Sequence, residues 1–523
     1  MKDSKSSFSR YLLPEKMAKK DIIEALKTRF SVEESGGVDE NVALLDSFEW
    51  GLYKNNFIAF RYDNNDIAMW PADELFDLDQ ALLIHSDNPQ ARFWWDFEAT
   101  AERALLEKIL DLRALLTLSE GVLKIEDFNL QDDNGKTLVF FQLISFYRAV
   151  SEHAPLFTQI KLTPVTGYNA EYEQTADLLE GLGGFKPRLN PADSLLSAIG
   201  VTPNPYSVKP DLAIEAAMPA RAAANYIISQ MLEKQRLTEQ GIIDDLDTEF
   251  LHHFRVALRM NRAAIAQLKE VYPEQDVSML KERFGKLGRE TNHLRDLDVF
   301  ILDKPRYLTL LPDSLSDGLL PMFDDFERDR ENEVKRIAGW LSSTAYQNEM
   351  QELEALFKGG YSAGETEWSE RPSIELAISK ITKRYKKIQK AALLIDNDTP
   401  DEAIHSIRID CKKLRYLLYF FSNLFDQQET KVAVKKLKHL QDRLGLFNDL
   451  TVQGQYLETY LNEIEHKEKK DIKLIAALGG LIATLHGMQK IERDNCTNEL
   501  HVFSNKKNRQ IFTHTFAAKG LDI

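Results

Sequence analysis

The feature that most constrains this chain is an internal repeat with an offset of 153 residues. The stretch HHFRVALRMNR at 252–262 matches HSIRIDCKKLR at 405–415, and RDLDV at 295–299 matches NDLTV at 448–452. Both matches have the same offset, so the segments between them align as well. A period this long lies outside the range of solenoid repeats. It predicts two copies of a helical bundle related by a pseudo-two-fold axis.

The chain is too long for one ordinary core, because 523 residues predict two to four domains. Strand patterns are confined to residues 1–180, which predicts an α+β domain. Residues 181–211 are rich in Gly and Pro and predict a linker. Helical patterns follow over 212–510, and a Gly-rich break at 358–373 predicts repeats at about 212–357 and 374–510. The predicted fold class is mainly α, a duplicated helical bundle preceded by a smaller α+β domain.

Within the α+β domain, apolar runs and turn residues predict individual elements. VALLDSFEWGLY at 42–53 predicts a strand, and residues 91–116 predict one long helix. VLKIEDFNL at 122–130 and TLVFFQLISF at 137–146 predict a β-hairpin, with the turn at DNG between them.

Cysteine use and hydropathy predict a cytoplasmic protein. Cys411 and Cys496 do not form a CxxC pattern, so neither a disulfide framework nor a thiolate metal site is expected. This suits a reducing compartment. The longest apolar run, 474–485, is too short to span a bilayer, and no signal-peptide pattern occurs at the N-terminus. We therefore expect no membrane insertion.

Charge is distributed unevenly, although the net charge is −16. Residues 1–200 contain 20 basic and 33 acidic residues, whereas residues 201–523 contain 46 basic and 49 acidic residues. The C-terminal part is therefore nearly balanced. Its chemistry depends on which helix faces carry each sign.

Each copy of the repeat carries a line of basic residues along one side of a helix. At about 100° per residue they fall within an arc of about 80°, which borders the apolar face. A solvated face would normally include acids for i,i+4 pairing, and these positions contain none. The pattern predicts an anion site in a groove, and the alternative is an ordinary solvated surface. We call the two lines the first basic stripe, His252, Arg255, Arg259 and Arg262, and the second basic stripe, His405, Arg408, Lys412 and Arg415.

Neighbouring helices add further cations. Converging Lys and Arg side chains repel one another unless an anion lies between them, and both suit phosphate oxygens. The further candidate ligands are Arg283, Lys286, Arg289, Arg295, Arg328, Lys383, Arg384, Lys387, Lys413, Lys435, Lys438, His439 and Arg493.

Metal binding and catalysis are not predicted. Adjacent His252 and His253 point about 100° apart, and a cation beside the arginines would be repelled. We expect Asp296, Asp298 and Asp449 to pair with and orient the basic residues, because a metal site needs several converging oxygens. No catalytic residue, metal ligand or cofactor is assigned.

These motifs resemble the CHAD domain, the conserved histidine α-helical domain, over roughly 212–510. The resemblance rests on the two HxxR helices, the RDLDV and LQDxLGxxND motifs and the KKLRY segment at 412–416. It implies two related helical bundles around a basic channel that binds inorganic polyphosphate. It also implies association with polyphosphate granules in cells that make them.

The N-terminal part resembles, more faintly, the CYTH or triphosphate-tunnel domain, through LLDSFEWGLYKNNFIAF at 44–60. Active members carry ExExK on an early strand, and residues 1–60 do not contain it. We therefore expect a degenerate, non-catalytic member. The alternative is a triphosphate hydrolase or related phosphotransfer enzyme that acts through this domain.

Nucleic acid is the other polyanion considered. The stripe helices lack interleaved aromatic residues for base stacking, and the overall negative charge opposes binding. The expected partner is polyphosphate, and homo-oligomerisation is left open.

Overall fold

The chain divides into two compact units, Met1–Ser207 and Val208–Ile523, which we call the sheet unit and the helical unit. The computed structural model describes residues 8–14, 17–149, 154–186, 190–203, 206–359, 364–396, 398–465 and 471–516. Parts of the predicted linker (187–189 and 204–205) and of the predicted Gly-rich break (360–363) lie outside these residues.

One eight-stranded sheet forms the frame of the sheet unit, in the order β1-β8-β7-β6-β2-β3-β4-β5. Every neighbouring pair is antiparallel. The strands are β1 (Ser9–Leu12), β2 (Ser31–Asp46), β3 (Phe57–Tyr62), β4 (Ile67–Pro71), β5 (Leu82–Ile84), β6 (Leu116–Gln131), β7 (Thr137–Tyr147) and β8 (Phe157–Pro164). The helices are α1 (Lys19–Lys27), α2 (Gly51–Lys54), α3 (Ala101–Leu110), α4 (Asn169–Gly181) and α5 (Pro191–Ala198).

Both faces of this sheet are covered, because strand side chains alternate between faces with a period of two. On β7, Phe141 and Leu143 join one apolar cluster, whereas Ile144 and Phe146 join another. The predicted hairpin is confirmed by the pairing of β6 with β7. Its turn contains Gly135 at a φ of 77°, a conformation that glycine adopts without strain.

Two predictions of local structure in this unit are wrong in extent. The strand predicted over 42–53 ends at Asp46, whose buried carboxylate accepts the backbone N–H groups of Leu52 and Tyr53 and so fixes α2. The helix predicted over 91–116 is only the ten residues of α3. Its start is fixed by the Thr100 hydroxyl, which accepts the Arg103 N–H.

The linker predicted over 181–211 is also wrong in part. It contains α5, which begins with an Asn190 cap and a proline. Leu195 and Leu196 of α5 are buried in the core of the sheet unit. Gly and Pro at the ends of a short helix produced the same composition as a flexible linker.

Fourteen helices make up the described part of the helical unit, so the predicted class, mainly α with a smaller α+β domain, is confirmed. The helices are α6 (Ala220–Arg236), α7 (Glu239–Ile243), α8 (Thr248–Gln267), α9 (Glu274–Glu290), α10 (Asn292–Leu302), α11 (Lys304–Thr309), α12 (Asp313–Ser316), α13 (Leu320–Leu341), α14 (Thr344–Lys358), α15 (Ser373–Ala392), α16 (Asp401–Phe420), α17 (Gln427–Glu465), α18 (Ile472–Phe503) and α19 (Lys506–Thr515).

Helix starts recur at the offset of the sequence repeat. The helices α6, α8 and α9 each begin 153 residues before α15, α16 and α17, respectively. The Ala220 N–H donates to the Arg371 carbonyl, and the Ser373 N–H donates to the Met218 carbonyl, which are equivalent bonds under that offset. Reciprocal bonds of this kind are what a pseudo-two-fold axis between duplicated halves predicts. The duplication itself stays a prediction.

Helix α18 is long and apolar enough to cross a membrane when judged by length and composition alone. Its predicted apolar run at 474–485 is one part of this longer helix. Leu474, Leu478, Leu481 and Leu485 recur at helical spacing and are buried in a core shared with α10, α13 and α17. These leucines serve as core residues of the bundle.

Candidate functional site

Helix α8 forms because its apolar residues recur at helical spacing and its first turn is capped. The Asp247 carboxylate accepts the N–H groups of Glu249 and Phe250. Phe254, Leu258 and Ile265 are almost fully buried. The equivalent apolar residues of α16, Ile407, Cys411 and Leu418, are buried as well. The apolar faces predicted for both helices are therefore confirmed, and each basic stripe borders one of them.

The two basic stripes meet at Lys412 of α16. Burial lowers the pKa of Lys412 to about 8, and the positive charges of Arg408, Arg259 and Arg415 add to the decrease. Arg259 belongs to the other stripe, so the packing of α8 against α16 brings cations from both copies together. Within the described part of the chain, Arg259, Arg262, Lys412 and Arg415 form no ion pair. We call Arg259, Arg262, Lys412 and Arg415 the basic cluster.

Arg255 has a different role from the exposed arginine one turn later. Its Nη1 donates to Thr291 Oγ1 at 2.8 Å and to the Gly288 carbonyl at 3.3 Å, which fixes α8 against α9. Burial lowers the pKa of Arg255 to about 10, and the charges of Arg259 and Arg295 add to the decrease. Arg255 is therefore a half-buried residue that holds α8 against α9 next to the basic cluster.

The Asn-Asp pair of the second copy orients the second basic stripe. Arg408 lies 3.6 Å from the Asp449 carboxylate. His405 Nδ1 lies 2.9 Å from Asn448 Oδ1 and donates when it is protonated. The expectation that Asp449 pairs with a stripe residue is confirmed.

Asp298 also pairs with a basic residue, as expected, but its partner Arg330 belongs to neither basic stripe. Asp298 is 1% exposed and accepts a hydrogen bond from Arg330 Nε at 2.8 Å, and Arg330 also pairs with Asp245. Burial raises the pKa of Asp298 to about 6 although the Arg330 charge opposes the rise. Asp298 therefore fixes α10 to α13. Burial raises the pKa of Asp296, and the nearby charge of Arg255 opposes part of that rise. Asp296 therefore lies beside the first basic stripe.

Several further candidate cations pair with acids instead of joining the cluster. Arg283 of α9 forms ion pairs with Glu349 and Glu352 of α14. The other pairs are Arg289 with Glu282, Arg328 with Asp325, Arg384 and Lys387 with Asp410, His439 with Glu499, and Arg493 with Asp401. Each of these side chains has a carboxylate partner in the unliganded protein, so we leave them out of the basic cluster, and their role as anion ligands stays a prediction.

Five more candidates form no ion pair among the residues that the structure describes, but they are not equally close to the cluster. The charges of Lys438 and Arg415 both act on the same nearby lysine, Lys209. Lys383 lies instead beside Lys380 of the same helix. Lys286 and Lys435 are exposed, and Lys413 is half-buried.

The neighbouring lysine is Lys209, which sequence reasoning missed. Loss of hydration lowers the pKa of Lys209, and the charges of Arg415, Lys438 and Arg259 add to the decrease. Lys209 lies in the predicted linker, in an irregular segment without helical periodicity. No pattern in the sequence could have placed it at the cluster.

A metal site is absent from the described residues, among which no group of three His, Cys, Asp or Glu could hold an ion. His253 lies 3.9 Å from Glu249 of its own helix.

A cavity of about 470 Å³ lies beside His405, between α17 and α18. Its walls include Glu402 and Glu458, so it does not suit a phosphate polymer.

The arrangement defines a class of protein, a helical bundle in which two similar helices place uncompensated cations together. Residues 226–458 match the family model of the CHAD domain. The helical unit therefore contains a CHAD domain, and the resemblance of its motifs is confirmed. The matched region is somewhat under half of the chain.

Solved structures give two further comparisons. The chain is similar to the CHAD domain from the plant Ricinus communis, with 24% identity and a TM-score of 0.47, covering 56% of this chain and 95% of that one. It is also similar to PptA from Streptomyces chartreusis, with 11% identity and a TM-score of 0.41, covering 54% of this chain and 98% of that one. No curated protein matches the chain.

Proposed function

We propose that the helical unit binds inorganic polyphosphate in a basic channel between its two repeats, without turning it over. The observation that carries the proposal is the meeting of Arg259 with Lys412 and Arg415. Like charges held this close destabilise the free protein, and a polyanion would relieve the repulsion. The CHAD match over 226–458 supports the same ligand, because that family is expected to bind polyphosphate.

The symmetry of the cations favours this polymer over nucleic acid. Arg259 and Lys412 occupy equivalent positions, as do Arg262 and Arg415, so the cluster presents similar charges in both directions. An inorganic polyphosphate chain has no direction, whereas each nucleic-acid strand runs from 5′ to 3′. A pseudo-symmetric site therefore fits the phosphate polymer without favouring one orientation. In cells that make polyphosphate, such binding would bring the protein to the granules.

The sheet unit supports a non-catalytic reading. Four of its cations are paired with acids of the same unit: Arg10 with Glu74, Lys19 with Glu126, Lys124 with Asp39, and Lys161 with Asp77. A triphosphate would have to break these pairs before it could bind. Release of phosphate from tripolyphosphate by residues 1–207 with Mg²⁺ or Mn²⁺ would instead support the enzyme alternative.

The direct test is a titration of the full chain with polyphosphates of defined length over a range of salt concentrations. We expect affinity to rise with chain length and to fall steeply with salt, because charge neutralisation dominates. Arg259→Gln with Lys412→Gln should weaken binding strongly, whereas Arg283→Gln is a matched control whose charge is already paired with Glu349. Equal binding by the double variant and the wild type would overturn the proposal. An excess of RNA that displaces polyphosphate at equal ionic strength would point to nucleic acid.

A further inference from the structure

A second cavity of the helical unit lies between α15 and α19. Its volume is about 330 Å³, near the lower end of the range of about 300–1,000 Å³ that is typical of small-molecule sites. One wall is aromatic, because the rings of Tyr385 and Phe512 stack with their centroids 4.2 Å apart. None of the described residues that line the cavity belongs to the basic cluster or to either basic stripe. The polyphosphate site therefore does not account for it.

The lining of this cavity has a polar part and an apolar part. Gln389 Nε2 donates to the Tyr385 hydroxyl at 3.1 Å. Burial raises the pKa of Tyr385 to about 12, and the nearby charge of Arg509 opposes part of that rise. The apolar part is formed by Ile378 and Ile381, which lie two turns and one turn before Tyr385 on the same side of α15. At a rise of 1.5 Å per residue, it extends about 10 Å from Tyr385 along the helix.

The equivalent place in the first copy of the repeat is joined by an ion pair. Arg236 of α6 lies 3.1 Å from the Glu354 carboxylate of α14. At the 153-residue offset, the counterparts of this pair are Gln389 of α15 and Lys507 of α19. An amide and an ammonium cannot form an ion pair. The second copy thus lacks the carboxylate that joins the two helices in the first copy, and its cavity carries positive charge.

Two cations line the cavity, Lys386 of α15 and Arg509 of α19. Both are exposed, and neither forms an ion pair within the part of the chain that the structure describes. Their charges attract an anionic group, and the isoleucine wall favours contact with hydrocarbon because burial removes apolar surface from water. An inorganic phosphate polymer has no apolar part to cover that wall. The lining therefore matches a molecule with an anionic head and an apolar tail.

We propose that the cavity between α15 and α19 binds a single-chain amphiphilic anion of the medium-chain fatty acid class. The carboxylate contacts Lys386 and Arg509, and the hydrocarbon chain lies along Ile381 and Ile378 against the aromatic wall. The small volume of the cavity favours one hydrocarbon chain over the two chains of a membrane lipid. This binding activity does not depend on polyphosphate binding, because the two sites share no residue.

The test is a calorimetric titration of the full chain with hexanoate, octanoate and decanoate below their micelle concentrations. We expect saturable binding to one site per chain, with affinity rising by up to about fourfold for each added methylene, because each methylene is buried against the apolar wall. Decan-1-ol and decylamine carry the same chain without an anionic head. They should bind more weakly than decanoate by about tenfold or more, because the charged hydrogen bonds are lost.

Variants locate the binding within the cavity. Arg509→Gln should weaken decanoate binding by roughly tenfold. Lys507→Gln is the matched control, because it removes one positive charge from the same helix on a side about 200° away from Arg509. Ile378→Trp fills the apolar part of the cavity, so it should weaken decanoate binding more than hexanoate binding.

Three results would overturn the inference. The first is equal affinity for decanoate and decan-1-ol, which would show that the cations do not contact the ligand. The second is an equal loss of decanoate affinity in Arg509→Gln and Lys507→Gln, which would indicate a non-specific effect of charge. The third is displacement of decanoate by polyphosphate, which would place the fatty acid at the basic cluster.

Discussion

Arg259 and Lys412 occupy equivalent positions on two helices 153 residues apart, and the charge of Arg259 helps to lower the pKa of Lys412 to about 8. Two cations held near each other cost stability in the free protein. Under the proposed function, a bound anion would contact both halves at once and relieve this repulsion. Binding and stability are therefore expected to respond in opposite directions to charge removal.

Replacing both residues, as Arg259→Gln with Lys412→Gln, tests that opposition. We expect the free energy of unfolding of the free protein to stay the same or to increase by roughly 1 kcal/mol or less, because repulsion is removed. The salt slope for polyphosphate should become shallower by about 1.4, which corresponds to two lost phosphate contacts. Thermal unfolding of the free variant measures the change in stability. Polyphosphate titrations over a range of salt concentrations measure the change in salt slope. A less stable variant would show that the two side chains serve the fold.

Polyphosphate affinity should fall as pH rises through about 8. Lys412 loses its proton there in the free protein, and only the protonated form attracts phosphate. The free energy of unfolding should change in the opposite direction. Because the folded protein holds this proton less tightly than the unfolded chain does, the cost of burying the charge disappears as pH rises from about 8 towards about 10.4.

Titrations between pH 7 and 9.5 measure this dependence, and Lys412→Arg is the control. Arginine stays charged over the whole range, so the variant should show a flatter affinity profile. Identical profiles for the variant and the wild type would assign the pH dependence to another group.

Arg384 should matter for stability and not for ligand binding. Its Nη1 lies 2.6 Å from Asp410, which is 5% exposed. We expect Arg384→Ala to lower the free energy of unfolding by about 1–3 kcal/mol, because Asp410 loses one of its two cations. Polyphosphate affinity of the folded variant should match the wild type. Chemical denaturation gives the free energy of unfolding, and a binding titration gives the polyphosphate affinity. A shallower dependence of that affinity on salt concentration would indicate that Arg384 contacts the ligand.

Asp247 should stabilise the helix that carries the first basic stripe. Its carboxylate caps α8 through the N–H groups of Glu249 and Phe250. Asp247→Ala is expected to cost about 1 kcal/mol of unfolding free energy, whereas Asp247→Asn or Asp247→Ser should restore most of it. Urea unfolding of the three variants is the measurement, and an equal loss in all three would argue against capping.

The sequence by itself determined the helical half to a large extent. The 153-residue offset predicted equivalent helices, and α6, α8 and α9 begin at that offset from α15, α16 and α17. The 3.6-residue period placed Phe254 and Ile407 in the core and the basic stripes at its border. These predictions succeeded because a helix face depends only on local spacing.

The sheet unit was predicted less well, because short elements depend on single capping groups. The buried Asp46 carboxylate stabilises α2 where the sequence predicted the end of a strand. Burial of Leu195 and Leu196 stabilises α5 where the sequence predicted a linker. Neither effect has a periodic pattern in the sequence.

Only the tertiary structure decided which cations stay uncompensated. Arg283 and Arg384 have the same chemistry as Arg259, but distant acids, Glu349 and Asp410, meet them through helix packing. Lys209 lies near the basic cluster because the adjacent Pro210 carbonyl accepts a hydrogen bond from the Tyr419 hydroxyl of α16. Pairing across many residues of sequence depends on how helices pack, and helical periodicity carries no information about it.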